Sequence, residues 1–222
     1  MFSERRTNLI CIIGVDGTGK TAHAVQLMDD LKREGYKCKY VWFGSPYLLS
    51  YPFMVLARFL GLTKMHYLPN NQTYSEHLYF KNKPVALMWK WIQFVDICTL
   101  SLLEVLLPTW AGYTVICDRY VYDAVVGLMD DLKDYRFFER IIGRAIFRLK
   151  PKSSLVFLLN VNDNTAFGRK GDIPDLQYVT RRKKSFKLIA KQENIPIIDA
   201  NQSFATVQTQ LAGFIRRTSI AN

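Results

Sequence analysis

The sequence predicts a three-layer α/β fold, a parallel sheet covered by helices on both faces. Two observations carry this. Five short apolar runs alternate with longer stretches of helical spacing, and the first run opens directly into a glycine-rich loop followed by a helix. The runs are Leu9 to Val15, Lys37 to Phe43, Thr114 to Cys117, Ser154 to Val161 and Ile195 to Ile198. A strand buried on both faces is apolar throughout, which suits a parallel sheet between helices. Such sheets bind ligands beyond the carboxyl ends of their strands. The informative residues fall there: Asp16 after the first run, Phe43-Gly44-Ser45-Pro46 after the second, Asp118-Arg119 after the third and Asp199 after the fifth.

The loop reads Gly14-Val15-Asp16-Gly17-Thr18-Gly19-Lys20-Thr21, a complete G-x-x-x-x-G-K-[ST] phosphate-binding sequence. Its glycines let successive backbone N–H groups turn inward on a β-phosphate at the positive end of the next helix. Lys20 adds a point charge and Thr21 a hydroxyl for Mg²⁺. The context is correct on both sides. Leu9 to Ile13 is a β-branched-rich run, and Ala22 to Arg33 places Ala24, Leu27, Met28 and Leu31 at helical spacing before Gly35 ends it.

A chain of 222 residues, 49% hydrophobic and 22% charged, can bury one sizeable core, and no Pro/Gly/Ser-rich linker divides it, so 1–222 reads as one domain. Cys11, Cys38, Cys98 and Cys117 stand singly without a C-x-x-C pair, which suits a reducing compartment and argues against a zinc site. Met1-Phe2-Ser3-Glu4-Arg5-Arg6 has no apolar core, so no secretory signal and a cytoplasmic protein are expected. Val85 to Leu107 is apolar, but Lys90, Asp96 and Glu104 interrupt it; a buried helix is expected there, and no membrane partner. The net charge of +11 is uneven, with 13 basic and 11 acidic residues in 1–130 against 17 and 8 in 131–222. With a phosphate loop present, a small polyanionic substrate accounts for this without nucleic acid.

Asp118-Arg119-Tyr120 closes the third run. A carboxylate there can hold the shell of Mg²⁺, and the guanidinium beside it can grip a phosphate through two parallel hydrogen bonds. Arg169-Lys170-Gly171-Asp172-Ile173-Pro174 is a basic cluster with turn signals, and Arg181-Arg182-Lys183-Lys184 follows on the next helix. A segment bringing arginine over a γ-phosphate would neutralise charge in the transition state. Arg136, Arg140, Arg144 and Arg148 recur every four residues, predicting one helix stripe beside an apolar face of Phe137, Ile141, Ala145 and Leu149. The segment from Tyr47 to Asn82, with Pro52 and Pro69-Asn70-Asn71, is aromatic and turn-rich, a natural place for a substrate-covering insertion at about 44–84.

Gly14 to Thr21, Val115-Ile116-Cys117-Asp118-Arg119-Tyr120, Arg169-Lys170 before Asp172-Ile173-Pro174, and Ile198-Asp199-Ala200-Asn201-Gln202-Ser203 together resemble the thymidylate kinase family, in the same order and at similar spacing. The resemblance runs from about residue 8 to about residue 216. It implies a P-loop NTPase fold with a five-stranded parallel sheet flanked by helices, a small lid at about 168–182, and usually a homodimer. It also implies transfer of the ATP γ-phosphoryl group to a nucleoside monophosphate, dTMP to dTDP, with Mg²⁺. By the resemblance, Asp16 lies by the acceptor's sugar, Arg119 touches the phosphates being joined, and Arg169 lies over the donor adenine or phosphates.

The resulting assignment gives Lys20, Asp118, Arg119 and Arg169 to catalysis, and Gly14, Asp16, Gly17, Thr18, Gly19, Lys20, Thr21, Ala22 and Arg169 to ATP. Asp16, Phe94, Arg119 and Tyr120 are given to the acceptor, and Thr21 with Asp118 to the metal. Because position 17 is Gly rather than basic, catalytic arginine has to come from the lid. Three features depart from the family. Trp42-Phe43-Gly44-Ser45-Pro46 stands where an R-E-P motif usually supplies an arginine to the acceptor phosphate. Phe94-Val95-Asp96-Ile97-Cys98 is the nearest match to the F-A-x-D-R segment whose Arg reads the base, with Ile97 in its place, and the Tyr-Gln after D-R-Y falls near Gly127-Leu128. These departures leave open a kinase of the same fold with another acceptor, or a non-catalytic ATP-binding module docking nucleic acid or membrane through its basic half.

Overall fold

The computed structural model describes residues 8–44, 48–67, 73–170 and 173–220. The expectations placed on Met1 to Arg6, Ser45-Pro46, Pro69-Asn70-Asn71 and Gly171-Asp172 lie outside the described residues. Along the chain run β1 (Leu9–Ile13), α1 (Lys20–Arg33), β2 (Cys38–Trp42), α2 (Ser50–Phe59), β3 (Thr63–Tyr67), β4 (Thr73–His77) and α3 (Lys83–Leu100). Then come α4 (Leu107–Trp110), β5 (Thr114–Asp118), α5 (Val121–Leu132), α6 (Ile141–Phe147), β6 (Ser154–Asn160), α7 (Asp163–Gly168), α8 (Leu176–Gln192), β7 (Ile197–Asp199) and α9 (Phe204–Ile220).

β1 is the axis of the main sheet, with all five residues buried at 0–1% exposure, as a strand covered on both faces must be. It pairs in parallel with β5 and β6, and β2 and β7 extend the sheet in the order β2-β5-β1-β6-β7. All five strands are those the apolar runs predict. The order reverses at β1, so the chain leaves β1 at the switch point where ligands of open α/β sheets bind. Register then aligns the carboxyl ends: Asp118 lies beside Ile12 and Trp42, and Asp199 beside Asn160. α1 runs from the loop to Gly35, whose φ of +88° turns the chain while the Tyr36 N–H caps the Leu31 carbonyl at 3.0 Å.

The stretch after β2 is more ordered than its composition suggests. α2 leads into an antiparallel hairpin of β3 and β4, registered with His66 opposite Tyr74. Asp96, at 0% exposure in the middle of α3, fixes the start of α2: its carboxylate accepts the N–H groups of Leu48, Leu49 and Ser50 at 3.0, 2.8 and 2.9 Å. One charge thereby satisfies three helix-initiating amides that have no intrahelical partner. Behind it Phe53 stacks on Trp89 with ring centroids 5.3 Å apart, and Tyr79 meets Trp89 edge-on at 4.9 Å.

Two expectations are corrected. The apolar stretch at 85–107 is not a buried helix. It lies within one long helix, Lys83–Trp110, whose most apolar window is only 33% buried, with Leu87, Met88, Trp91, Val95, Leu103 and Trp110 exposed. Among the described residues this helix alone is long and apolar enough to cross a membrane by length and composition, yet its buried side carries Asp96 and packs on α2. The four-arginine stripe does not exist either. Arg140 is extended, with ψ of 162°, and caps the short α6, so Arg136 and Arg140 precede the helix and Ile141 is 88% exposed.

Removal of the Asp96 carboxylate strands three amides in a buried setting. Asp96→Ala is expected to lower unfolding stability by about 3 kcal/mol in urea denaturation; a change within about 0.5 kcal/mol, the range of ordinary surface substitutions, contradicts the capping role.

Candidate active site

The loop after β1 is built against two backbone walls. A Cβ at Gly14, where φ is +143°, would lie 2.6 Å from the Leu159 carbonyl oxygen, and one at Gly17, where φ is +84°, would lie 2.2 Å from that of Ala166. No side chain fits at position 17, which is the physical reason the loop carries no basic residue there. Thr18 Oγ1 donates to the Val15 carbonyl at 2.9 Å. Gly19 opens α1 in the left-handed region, and Ala22 lies exposed on its first turn. Lys20 is 4% exposed; its ammonium donates to the Val15 carbonyl at 2.8 Å and lies 3.7 Å from Asp16. Burial, and then the neighbouring Arg119, pull its pKa from 10.5 down to about 8.

At the start of α1, Thr21 Oγ1 donates to Asp118 Oδ2, and Tyr40 Oη reaches the same oxygen at 3.3 Å. The second oxygen, Asp118 Oδ1, is buried without a hydrogen-bond partner among the described residues. A hydroxyl and a carboxylate with an unused oxygen, beside a phosphate loop, form a hard-oxygen donor set that fits Mg²⁺.

β5 ends in strained backbone. Arg119 and Tyr120 adopt φ of +89° and +79° in succession, a conformation L residues rarely take. The turn is held by the Arg119 N–H on the Ile12 carbonyl at 3.0 Å and by the Tyr120 ring, which is fully buried edge-on to Phe43 at 5.2 Å. It points the Arg119 guanidinium back across the sheet edge, where Nη2 donates to Asp16 Oδ1 and Nη1 to Asp123 Oδ1 at 2.9 Å. Burial alone would raise the Asp16 carboxyl, but Lys20 and Arg119 outweigh it and hold it well below the usual carboxylate range. Asp123, more deeply buried, is pushed upward by desolvation against the opposing pull of Arg119, Lys20 and Arg182.

Beside this bridge opens a cavity of about 310 Å³, in the range of small-molecule sites. Asp16, Arg119 and Asp123 form its floor. Tyr74, Ser75 and His77 of β4, Trp89 and Gln93 of α3, Gly127 and Leu128 of α5, and Tyr178 and Arg182 of α8 form its walls. His77 and Trp89 share the Asp131 carboxylate, at 3.2 and 3.0 Å. Gln93 is 5% exposed and lines the cavity.

The predicted residues therefore divide. Asp16, Lys20, Thr21, Asp118 and Arg119 converge, and Arg169, though exposed, donates to the Gly17 carbonyl at 3.3 Å. Tyr120 and Phe94 do not line the cavity: Tyr120 is core, and Phe94 packs edge-on to Trp91 at 5.8 Å. Their places are taken by Trp89 and Gln93, one helical turn apart. The spacing W-x-x-x-Q was the available signal, since i and i+4 share a face. The β4 residues carried no motif signal.

Fold and site together define an α/β protein with a phosphate-binding loop at the switch point of its sheet. No family model matches the chain. A probable thymidylate kinase of Archaeoglobus fulgidus is 23% identical over 211 residues, covering 91% of this chain and 92% of that protein. A thymidylate kinase of Prochlorococcus marinus is 36% identical over 64 residues, a match spanning 26% of this chain and 30% of that protein. The crystal structure of a thymidylate kinase from Ehrlichia chaffeensis superimposes with a TM-score of 0.56 at 17% identity, covering 95% of this chain and 99% of that one. The chain is thymidylate kinase-like over nearly its whole length.

The depressed pKa of Lys20 has a testable sign. Its positive charge is present below about pH 8 and is lost above it. ATP affinity of the free protein is expected to fall as pH rises from 7 to 9.5, measured by calorimetric titration; a flat profile contradicts a buried, easily neutralised Lys20 at the phosphates.

Proposed function

We propose that the protein is an ATP-dependent nucleoside monophosphate kinase that converts dTMP to dTDP. The observation that carries this reading is the Arg119 bridge, through which Asp16 of the phosphate loop becomes part of the floor of a cavity large enough for a nucleotide. A simple ATPase has no use for a second ordered site on the far side of its loop. The ATP phosphates lie along the loop amides with Lys20 at their negative charge. Thr21 and Asp118 would hold Mg²⁺, which when bound supplies positive charge to the donor phosphates. Arg119 lies between the two phosphates to be joined, and Arg169, just past the end of α7, supplies the cation that position 17 cannot carry. The base rests against Trp89 with its edge toward the Gln93 carboxamide, which can donate and accept at once.

Two further features belong to the same reading. The exposed apolar side of α3, with Leu87, Met88, Trp91 and Val95, is the face we assign to pairing with a second copy. We place the enzyme in the cytoplasm, where a reducing environment keeps its free cysteines, including Cys11 and Cys117 side by side on β1 and β5, as thiols.

An acceptor screen at fixed ATP tests the activity: dTMP is expected to yield dTDP and ADP, and Lys20→Ala to abolish transfer. ADP release from ATP no faster with dTMP than with water contradicts the assignment. Arg169→Ala is expected to reduce kcat about a hundredfold with an unchanged melting temperature, since the side chain is exposed; unaltered kcat removes Arg169 from the chemistry.

A further inference from the structure

The acceptor end of the cavity lacks an arginine where the chain leaves β2: Trp42 and Gly44 line it there. A phosphate monoester carries nearly two negative charges, and one guanidinium already shared between Asp16 and Asp123 is a poor match for it. Arg182 enters the same cavity from the opposite wall, on α8.

Its surroundings are unusual for an arginine with a purely structural role. The side chain is only 12% exposed, yet its ion pair is a long one, 3.6 Å from Nη1 to Asp130 Oδ2, and its Nε has no hydrogen-bond partner among the described residues. Asp130 is already engaged at 2.9 Å by the Nε of the adjacent Arg181. The Arg182 guanidinium lies 5.4 Å from the centre of the Tyr178 ring, within cation–π reach, so it is held in place by a contact that uses none of its donors. A buried guanidinium has five N–H donors to satisfy, and these neighbours satisfy few of them. Arg119 shows the same deficit: its Nε is also buried and unpartnered.

We infer that Arg182 and Arg119 are two jaws of one clamp for the acceptor's phosphate monoester, Arg182 reaching it from α8. This rests on the reading of the cavity as a nucleoside monophosphate site. The incoming phosphate oxygens take the terminal N–H groups of Arg182, which its long ion pair leaves loosely held, and Asp130 is the carboxylate that yields Arg182 to them. Arg182 is then a binding residue for the phosphate and not for the base or sugar.

Calorimetric titration with dTMP and with thymidine separates these roles. Arg182→Met is expected to weaken dTMP binding about thirty- to hundredfold while leaving thymidine and ATP affinities within about twofold of wild type. Arg182→Lys, which keeps the charge without the fork, is expected to fall between, and serves if the methionine variant does not fold. Asp130→Asn is expected to tighten dTMP binding several-fold, because it removes the competitor for Arg182. Equal dTMP affinity in wild type and Arg182→Met, or equal loss for dTMP and thymidine, overturns the clamp and leaves the kinase reading standing. Failure of wild type to bind dTMP or any other nucleoside monophosphate overturns the kinase reading itself.

Discussion

The bridge from Arg119 to Asp16 and Asp123 is the constraint around which this molecule is arranged. It requires two consecutive residues in left-handed backbone at the end of β5, a costly arrangement that the fully buried Tyr120 ring and the Ile12 carbonyl hold in place. In return, a carboxylate of the phosphate loop, a carboxylate of α5 and a guanidinium are fixed in a low-dielectric edge of the sheet. Asp16 stays ionised there in spite of its burial, because Lys20 and Arg119 stand beside it. Asp16 and Arg119 also line the 310 Å³ cavity, while Thr21 and Asp118 pair with each other outside its lining.

The rest of the fold serves those two halves differently. The phosphate-loop half is made of backbone: glycines pressed against Leu159 and Ala166 leave no room for a side chain at positions 14 and 17. The cavity half is made of side chains delivered by β2, β4, α3, α5 and α8, and its shape depends on packing far from it. Asp96 holds α2 to α3, Phe53 of α2 stacks on Trp89, and Trp89 in turn presents its ring to the cavity and its indole N–H to Asp131. The same helix therefore does three things: it buries a cap, walls a cavity and exposes an apolar face.

The sheet and the phosphate loop are legible in the sequence because both are encoded locally. A fully buried strand is a continuous apolar run, and a phosphate loop is eight consecutive residues whose chemistry depends on spacing alone. The cavity was less legible because its walls come from residues far apart in sequence. Phe94 was a reasonable choice by motif, but helical phase places Trp89 and Gln93 on the inner side and leaves Phe94 packed against Trp91. The β3–β4 hairpin leaves no signal in the sequence, since its strands mix Lys, His and Glu with Thr and Tyr and give no clear alternation. The regular arginines at 136 to 148 misled in the opposite direction: a strict period of four is helical only if the backbone is continuous, and Arg140 breaks it.

The central claim is that two nucleotide sites meet at the Arg119 bridge. The most direct measurement is the affinity of a single compound that joins adenosine to thymidine through a chain of five phosphates, compared with ATP and dTMP separately. If the sites are contiguous, one molecule fills both, the second binding event becomes intramolecular, and affinity exceeds that of ATP by at least about a hundredfold. Affinity no greater than that of ATP, with dTMP still able to bind alongside, contradicts a shared edge.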